Sequence, residues 1–391
     1  MPAGNHKSPG APGQMSPQDI ANQNAGLRMA LLQSAPRMRK NVATAVAAVG
    51  GTTRIKLFNV GVLTKLLLRV TADLTIGTAI AVPSTKAPWN LISRLRLTDY
   101  DGTDRVNLSG FQLWVLNCIR CDSFYGSNNA VALTAVLNNP SVPTAIGAAQ
   151  VAFFLEIPVA FDVDNQIVQL QDLRGAIMCQ TAVGEMYLNI DWITSLVNAT
   201  GDVDSLYQGA GTTTVVGQNG TPITVTMWQD YLLPQAIGNR GQIPIPGIDI
   251  MTVYELNGNV RSSDNIAVGT EKLINYPNVR SVIGAYFNYV TGGVLSAAIN
   301  QMRVIANGNN ILMDNTGLSQ LFYQRELLQT DLLAGVWWRL HREHPIETAL
   351  FGNVQAGMTP GTVTGGNQYF ELAFESFYTK GQALPGIGQS N

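Results

Sequence analysis

Two pairs of residues have the spacing of metal-binding or redox chemistry. His341 and His344 stand three apart, but a zinc site needs a third ligand, and the remaining histidine, His6, lies near the N-terminus. The segment HREH also departs from the HExxH and HxxEH motifs, so it favours a basic helix end. Cys118 and Cys121 have CxxC spacing without the strand–helix–strand context of a redox motif, which favours a packing role. We therefore predict no metal site.

Carboxylate pairs and glycine-rich stretches give no stronger sign of catalysis. Glycoside hydrolysis needs two carboxylates that converge across a groove. Two carboxylate pairs are close in sequence, Asp162 with Asp164 and Glu371 with Glu375, but nothing in the sequence shows that either pair converges in space. No GxxxxGK[ST] motif and no helix-opening GxGxxG motif occurs, so the glycine-rich stretches predict turns. The adjacent Trp337 and Trp338 lie among leucines, which favours helix core or a subunit contact over ligand stacking. The sequence thus predicts a non-enzyme without catalytic residues or cofactors.

Charge is scarce in this chain and unevenly distributed. Charged residues make up 13% of the 391 residues and the formal net charge is −2, whereas about 25% is the usual charged share. This balance argues against nucleic acid binding over the whole surface, and a surface so poor in charge is often covered by neighbours. Residues 1–45 carry a net charge of +4, since one acid, Asp19, stands against five basic residues: Lys7, Arg28, Arg37, Arg39 and Lys40.

An N-terminal arm, residues 1–50, is predicted to precede the body. A tail rich in Pro, Gly and Ser leads to Ser16, which has the properties of a helix N-cap followed by Pro at the first helical position. The helix should span 17–35, because Pro36 ends it, and a thin apolar stripe makes it weakly amphipathic: Ile20, Leu27 and Leu31. The N-terminus lacks a secretory signal, and three cysteines fit a reducing compartment, so we expect synthesis in the cytoplasm.

From about Ile55 onward, apolar and polar residues alternate as in half-buried β-strands. In the segment 65–72, Leu68 and its alternate neighbours share one face, and Arg69 lies on the other. The same alternation recurs at 91–97, at 186–192, near 225 and at 370–374, and an apolar run covers 151–157. Four residues are predicted to point between the sheets: Leu68, Leu95, Leu188 and Phe374. The pattern indicates an all-β sandwich architecture.

Two strand-rich series predict two units, residues 51–237 and 238–380, followed by a C-terminal tail, residues 381–391. Each series contains one helical segment, which begins at Ser109 in the first unit and at Leu318 in the second. One helix in each half indicates a duplicated plan, although the sequence itself shows no duplication. A chain of 391 residues also fits two packed units better than one.

Six segments, in order along the chain, carry a resemblance to a known family: NVGVLTKLLLRVTADLT from Asn59, NLISRLRLTDYDG from Asn90, SGFQLWVLN from Ser109, LYQGAG from Leu206, PNVRSVIGAYFNYV from Pro277 and FGNVQAG from Phe351. They resemble the major capsid proteins of the tectiviruses, icosahedral bacteriophages that contain an internal lipid membrane. No single segment is specific for the family. The specificity lies in the collinear order of the set, in the chain length and in the preceding helix rich in Gln, Ala and Leu.

The resemblance implies a double jelly-roll, in which two eight-stranded β-sandwiches stand side by side. It further implies a pseudo-hexagonal homotrimer, and an icosahedral shell of trimers around an internal membrane and a double-stranded DNA genome. The implied partners are other copies of the chain, penton and minor coat proteins, and membrane lipid, without sequence-specific nucleic acid binding. The implied location is the virion.

Four basic residues of the arm are the predicted contact with membrane lipid or with a neighbouring shell protein: Arg28, Arg37, Arg39 and Lys40. Two other classes of protein stay open at this point. A carbohydrate-binding or receptor-binding spike shares the β-sandwich architecture, although it would not need the basic arm. A glycoside hydrolase would need the converging carboxylates for which the sequence gives no signal.

Overall fold

The structure is a computed structural model that describes residues 16–77, 82–84, 86–120, 142–161, 173–179, 184–198, 205–208, 215–235 and 255–257, together with the backbone of six later strands. Two α-helices are described, α1 (Pro17–Ser34) and α2 (Gly110–Arg120), and a 3-10 turn spans Trp89–Leu91. Among the described residues, no helix is both long enough and apolar enough to cross a membrane.

Two antiparallel sheets form the first unit. The strands, numbered in chain order, lie in the first sheet in the order β1 (Arg37–Ala47), β13 (Ile223–Leu232), β3 (Val62–Ile76), β7 (Gly147–Pro158), with β12 (Val215–Gly217) and β8 (Ile177–Met178) also paired to β3. The second sheet has the order β2 (Thr52–Lys56), β9 (Tyr187–Trp192), β5 (Ile92–Thr98), β6 (Asp104–Leu108), and β14 (Leu256–Asn257) extends it in parallel.

The order of the eight main strands defines a jelly-roll. In chain order they are β1, β2, β3, β5, β6, β7, β9 and β13, so the first sheet holds the first, eighth, third and sixth strands. The second sheet holds the second, seventh, fourth and fifth. Two four-stranded sheets connected in this way are the two Greek keys of a jelly-roll sandwich. The all-β prediction is confirmed, and the first unit is a jelly-roll.

Strand β1 lies inside the segment that was predicted as the arm. Residues 37–47, assigned to the arm, form β1, which pairs with β13 over ten register positions. The sequence signal was weak because the residues of β1 that pack against the core are small or only partly buried, for example Val42, Ala43 and Ala45, and because charged residues occupy its first part. Without β1 the last strand of the jelly-roll would lose its ladder on one side, so β1 belongs to the same sheet as β13.

The core lies between the two sheets. Leu68, Leu95 and Leu188 are completely buried there, which confirms their predicted orientation. The alternation along β3 is also confirmed, since Val70 is buried while Arg69 on the other face is exposed. Phe374, the fourth predicted core residue, lies outside the described residues. Burial of large apolar side chains from both sheets supplies the main driving force for the sandwich.

Helix α2 covers the side of the sandwich between β7 and β5. It begins with a capping box, because the Gln112 backbone N–H donates to Ser109 Oγ (3.2 Å) and the Ser109 N–H donates to the Gln112 side chain (2.9 Å). Its buried Trp114 ring stacks on Trp89 with 3.7 Å between ring centroids. The predicted helix from Ser109 is therefore confirmed, whereas the helix predicted from Leu318 lies outside the described residues.

The remaining described strands are short or belong to the second half of the chain. A small sheet combines β4 (Val82–Pro83), β10 (Val197–Asn198) and β11 (Tyr207–Gln208). Three antiparallel pairs follow: β15 (Gly284–Asn288) with β20 (Tyr369–Ala373), β16 (Val290–Thr291) with β17 (Val294–Leu295), and β18 (Gln301–Ala306) with β19 (Asn310–Thr316). The second half is thus strand-rich, as predicted from its alternation.

Candidate assembly surfaces

The described apolar contacts between helix α1 and the jelly-roll lie at the C-terminal end of the helix. Its first turn carries the predicted cap, with the Asp19 N–H donating to Ser16 Oγ (3.2 Å) and the Ser16 N–H donating to the Asp19 carboxylate (3.3 Å). Leu31, Leu32 and Ala35 are buried in a small apolar cluster, whose other members belong to the body: Val62, Ala160, Leu173, Ala176, Met178 and Leu232. The predicted apolar stripe is therefore divided, with Leu31 buried and Ile20 exposed.

Three of the four basic residues predicted for the arm lie on β1 instead. Arg39 makes a bidentate ion pair with Asp230 on β13, with Nε to Oδ1 and Nη2 to Oδ2 both at 2.7 Å. Lys40 Nζ lies 4.1 Å from the centre of the Phe58 ring, and Arg37 begins the strand. The structure brings these three residues together but separates them from Arg28, whose backbone lies in α1 and whose side chain is outside the described set. Arg39 is largely neutralised by its partner.

The Arg39–Asp230 pair belongs to a row of alternating charges across the first sheet. Asp230 stands opposite Lys65 of β3 in the register, and Lys65 Nζ lies 3.0 Å from the Glu156 carboxylate of β7. Glu156 is itself fixed, because its backbone N–H donates to Asn117 of α2 (2.8 Å). We call these four residues the charge row: Arg39, Asp230, Lys65 and Glu156. It stabilises the strand order at the end of the sheet where α1 attaches.

The residues first considered for chemistry do not form a site among the described residues. His341, His344, Asp162, Asp164, Trp337, Trp338, Cys121 and Glu375 all lie outside them, and Cys118 and Glu371 are described only as backbone positions of α2 and β20. The described part of the chain holds no cluster of three or more potential metal ligands. Cys179 is buried, and burial raises the pKa of its thiol to about 12, so it is not a thiolate nucleophile at neutral pH.

The buried carboxylate of Asp99 is occupied by structural contacts. It accepts hydrogen bonds from the backbone N–H groups of Asp101 and Thr103 (both 3.0 Å) and from Arg105 Nε (2.6 Å), and it thereby closes the β5–β6 turn. A shallow and mainly apolar depression lies at the end of the sandwich away from α1, between Val49, Leu196 and Val215. No described carboxylate lines it.

Sequence reasoning missed the charge row because its members are far apart along the chain, with 191 positions between Arg39 and Asp230. Alternation shows that each side chain faces outward, but the pairing depends on strand order. A strand assignment for residues 37–47 would have placed Arg39 on an outer face, and that was the available signal.

Comparisons with known proteins agree with this architecture. The model of the family described as "P3 major capsid protein N-terminal" matches residues 18–234. Major capsid protein P3 of Enterobacteria phage PRD1 is 24% identical over 340 residues, which is 82% of each chain. Two solved structures are similar to this chain. The STIV MCP, of Sulfolobus Turreted Icosahedral Virus, has a TM-score of 0.49 and 11% identity over 87% of this chain and 85% of its own. VP54 of PBCV-1 has a TM-score of 0.42 and 9% identity over 90% and 80%.

The fold and the matched family define a structural protein of virus shells. This chain belongs to the P3 major capsid protein family, because the family model covers more than half of its length. It is a major capsid protein, and its place is the capsid of the virion. The resemblance seen in the sequence and the predicted double jelly-roll class are thereby confirmed.

Proposed function

We propose that the chain forms a homotrimer with a pseudo-hexagonal outline, and that these trimers build an icosahedral shell around an internal membrane and a double-stranded DNA genome. The observation that carries the proposal is that one half of the chain completes a whole jelly-roll, from β1 to β13. The later strands, including β15 paired with the distant β20, lie in the part of the chain that we propose forms a second such unit. Three chains would then supply six similar units, and penton and minor coat proteins would complete the shell.

The proposed division gives the chain four parts. Helix α1 and the residues before it form the arm, the first jelly-roll begins at residue 37 and ends near 237, the second spans 238–380, and 381–391 form a tail. Strand β14, in the second of these jelly-roll segments, adds to the second sheet of the first unit. Support comes from the first jelly-roll, whose last strand ends at Leu232, and from the family model for the N-terminal part, which ends at residue 234.

The proposed role of the arm is contact with the internal membrane beneath the shell. Residues 18–23 of α1 are exposed, so this part of the helix is available to a partner. Because Arg39 is paired with Asp230, we assign the attraction for anionic lipid mainly to the segment before β1, which contains Lys7 and Arg28. Arg37 and Lys40, in the first part of β1, would add to it. The alternative occupant is the underside of a neighbouring trimer.

Sedimentation of the purified chain tests the assembly proposal. We expect a species of about three times 42.1 kDa at micromolar concentration, and a pseudo-hexagonal outline in negative-stain images. A folded, stable monomer at that concentration would contradict the proposed trimer while leaving the family assignment unchanged.

A further inference from the structure

A short loop separates two strands that lie one after the other along the same side of β3. These strands are β12 and β13, and the five residues between them, 218–222, stand opposite the single residue Asp73. The Gln218 N–H donates to the Asp73 carbonyl, and the Asp73 N–H donates to the Pro222 carbonyl, both at 2.9 Å. Both ends of the loop are therefore bonded to one residue of β3, and the middle of the loop leaves the sheet.

The base of this 218–222 loop is held further by side chains. The Gln218 side-chain amide donates to the Leu74 carbonyl (2.8 Å). The two sides of the base also lie against each other, because a side chain at Gly217 would collide with the ring of Pro222. The backbone on both sides of the tip is thus fixed by the sheet.

The tip of the loop consists of Asn219 and Gly220. Their φ angles are +56° and +73°, in the left-handed region that asparagine and glycine adopt most readily. Both residues are exposed, and no described residue makes a hydrogen bond with the Asn219 side chain or the Gly220 N–H. A Cβ placed on Gly220 would have no heavy atom within 4 Å beyond its chain neighbours. The two groups are therefore open to water and to each other.

An asparagine that precedes glycine carries the groups needed for loss of its own amide. The Gly220 nitrogen attacks the Asn219 side-chain carbonyl carbon, Cγ, and a cyclic imide forms. The bond from Cγ to the amide nitrogen breaks, and ammonia leaves with the proton of the Gly220 N–H. Water then opens the ring at either carbonyl carbon, which gives aspartate or isoaspartate. Glycine leaves its nitrogen unhindered because it has no side chain, and asparagine is among the thermolabile residues.

We propose that the 218–222 loop is a site of spontaneous deamidation, and that the folded chain directs this reaction to Asn219 in preference to Asn257. The inference goes beyond the proposed function and does not depend on the trimer, since the reaction needs only the chain and water. Each event replaces a neutral amide by a carboxylate that is ionised at neutral pH. Aged chains therefore gain negative charge at the end of the first sheet away from α1, next to the exposed Val216.

A second copy of the same dipeptide provides the comparison within the chain. Asn–Gly occurs at Asn219, Asn257 and Asn307, and Asn307 lies outside the described residues. The backbone of Asn257 belongs to β14 and stands opposite Asn107 of β6, and the preceding Leu256 packs against the core. Ring closure at Asn257 requires β14 to open first, whereas the tip of the 218–222 loop needs no such opening.

Peptide mass spectrometry of the full-length protein tests the proposal. The purified protein is aged at neutral pH and physiological temperature, and digested at mildly acidic pH to limit further reaction. We expect Asn219 to convert about tenfold faster than Asn257, which corresponds to an opening free energy of about 1.4 kcal/mol for β14. In a chain aged in concentrated urea, the two sites should convert at similar rates. Equal rates in the folded chain, or an Asn219 that persists when folded but converts in urea, would overturn the inference.

A matched pair of variants tests the site without digestion. Asn219→Gly removes the amide and keeps a residue that accepts the left-handed backbone, and Asn257→Ser is the control. After ageing, isoaspartate in each folded protein is measured by enzymatic methylation with a radiolabelled methyl donor, and melting temperatures establish that both variants are folded. We expect Asn219→Gly to lose most of the wild-type signal and Asn257→Ser to retain it. A folded Asn219→Gly variant with the wild-type signal would overturn the inference, and if this variant does not fold, the comparison of Asn219 with Asn257 in the wild-type chain decides.

Discussion

Leu67 and Leu68 are adjacent leucines with opposite environments. Leu68 is completely buried between the two sheets, whereas Leu67 is half-buried on the outer face of the first sheet, opposite Trp228 of β13. The difference follows from the period of two along a strand, which sends successive side chains to opposite faces. Residue-level burial in this jelly-roll is therefore set by register, and a single position decides whether a leucine contributes to the core.

Truncation of Leu68 to alanine should cost about 2 to 5 kcal/mol of unfolding free energy, because it leaves a cavity between close-packed sheets. The matched variant Leu67→Ala should cost about 1 kcal/mol, a typical value for a substitution away from the core. Urea-induced unfolding of both variants, under identical conditions, measures the difference. If Leu67→Ala were the more damaging of the two, the assignment of the faces would be reversed.

Two buried acidic groups predict a loss of stability at high pH. Burial raises the pKa of the Cys179 thiol to about 12, and burial likewise raises that of the Tyr207 phenol to about 12. Above their ordinary values of 9.0 and 10.0, the unfolded chain releases these protons while the folded chain retains them. The unfolded state then binds fewer protons, so stability falls with rising pH from about 9 to 12.

Melting temperatures measured between pH 7 and pH 11 test this expectation. The double variant Cys179→Ala with Tyr207→Phe should show a shallower decline above pH 9 than the wild-type chain, because the groups that cause the decline are gone. Both proteins should have flat profiles between pH 7 and pH 8, after correction for the constant effect of the substitutions. Equal slopes above pH 9 in the two proteins would show that neither group is responsible.

Strand β1 shows at the level of elements what sequence patterns can and cannot predict. Strands with large alternating side chains, such as β3, β5 and β9, were predicted within a few residues, because leucine and isoleucine mark the buried face clearly. In β1 the residues that pack against the core are alanines and the partly buried Val42, so local pattern gives little contrast and the strand is specified by its pairing with β13. That pairing joins the two ends of the first unit, and a local window cannot detect it.

Two truncations should distinguish the contribution of the arm to folding from that of strand β1. Removing residues 1–35 deletes α1 and the contacts of Leu31 and Leu32 but leaves β1 complete, so the chain should remain soluble with a lower melting temperature. Removing residues 1–47 also deletes β1 and exposes the edge of β13, so we expect aggregation or loss of cooperative melting. Soluble yield and thermal unfolding measure both. A 1–47 deletion that melts like the 1–35 deletion would place the unit boundary at 51 after all.

At the level of the whole molecule, the first jelly-roll has two different ends. One end carries α1 and the charge row, and the other carries the exposed side chains of Val46 and Val216 and the shallow apolar depression near Val49. The sequence predicted the separation of a basic N-terminal segment from a body poor in charge, because composition can be counted without a fold. It could not predict that Arg39 would be paired with Asp230, since ion pairs between distant residues exist only once the strands are ordered.

This separation leads to a prediction for the full-length trimer on membranes. Vesicles containing anionic lipid should carry the trimer upward in a density gradient at low salt, because basic residues near an anionic surface contribute about 1 kcal/mol each. One arm binds weakly, but three arms on a rigid trimer act together, so the trimer should float where a monomer would not. Flotation should fall as salt rises toward about 0.5 M, because the Debye screening length is then only a few ångströms and the basic residues no longer attract the anionic surface.

Deletion of residues 1–28 is the sharpest variant for this test. It removes Lys7, Arg28 and the exposed part of α1 but retains Leu31, Leu32 and Ala35, which hold the end of the helix on the jelly-roll. The shortened chain should still sediment as a trimer and should no longer float with anionic vesicles, and neither protein should float with zwitterionic ones. Since the deletion leaves Arg37, Arg39 and Lys40 in place, a shortened trimer that floats as well as the full-length one would assign lipid binding to β1. A full-length trimer that ignores anionic vesicles at low salt would instead favour the underside of a neighbouring trimer as the partner of the arm.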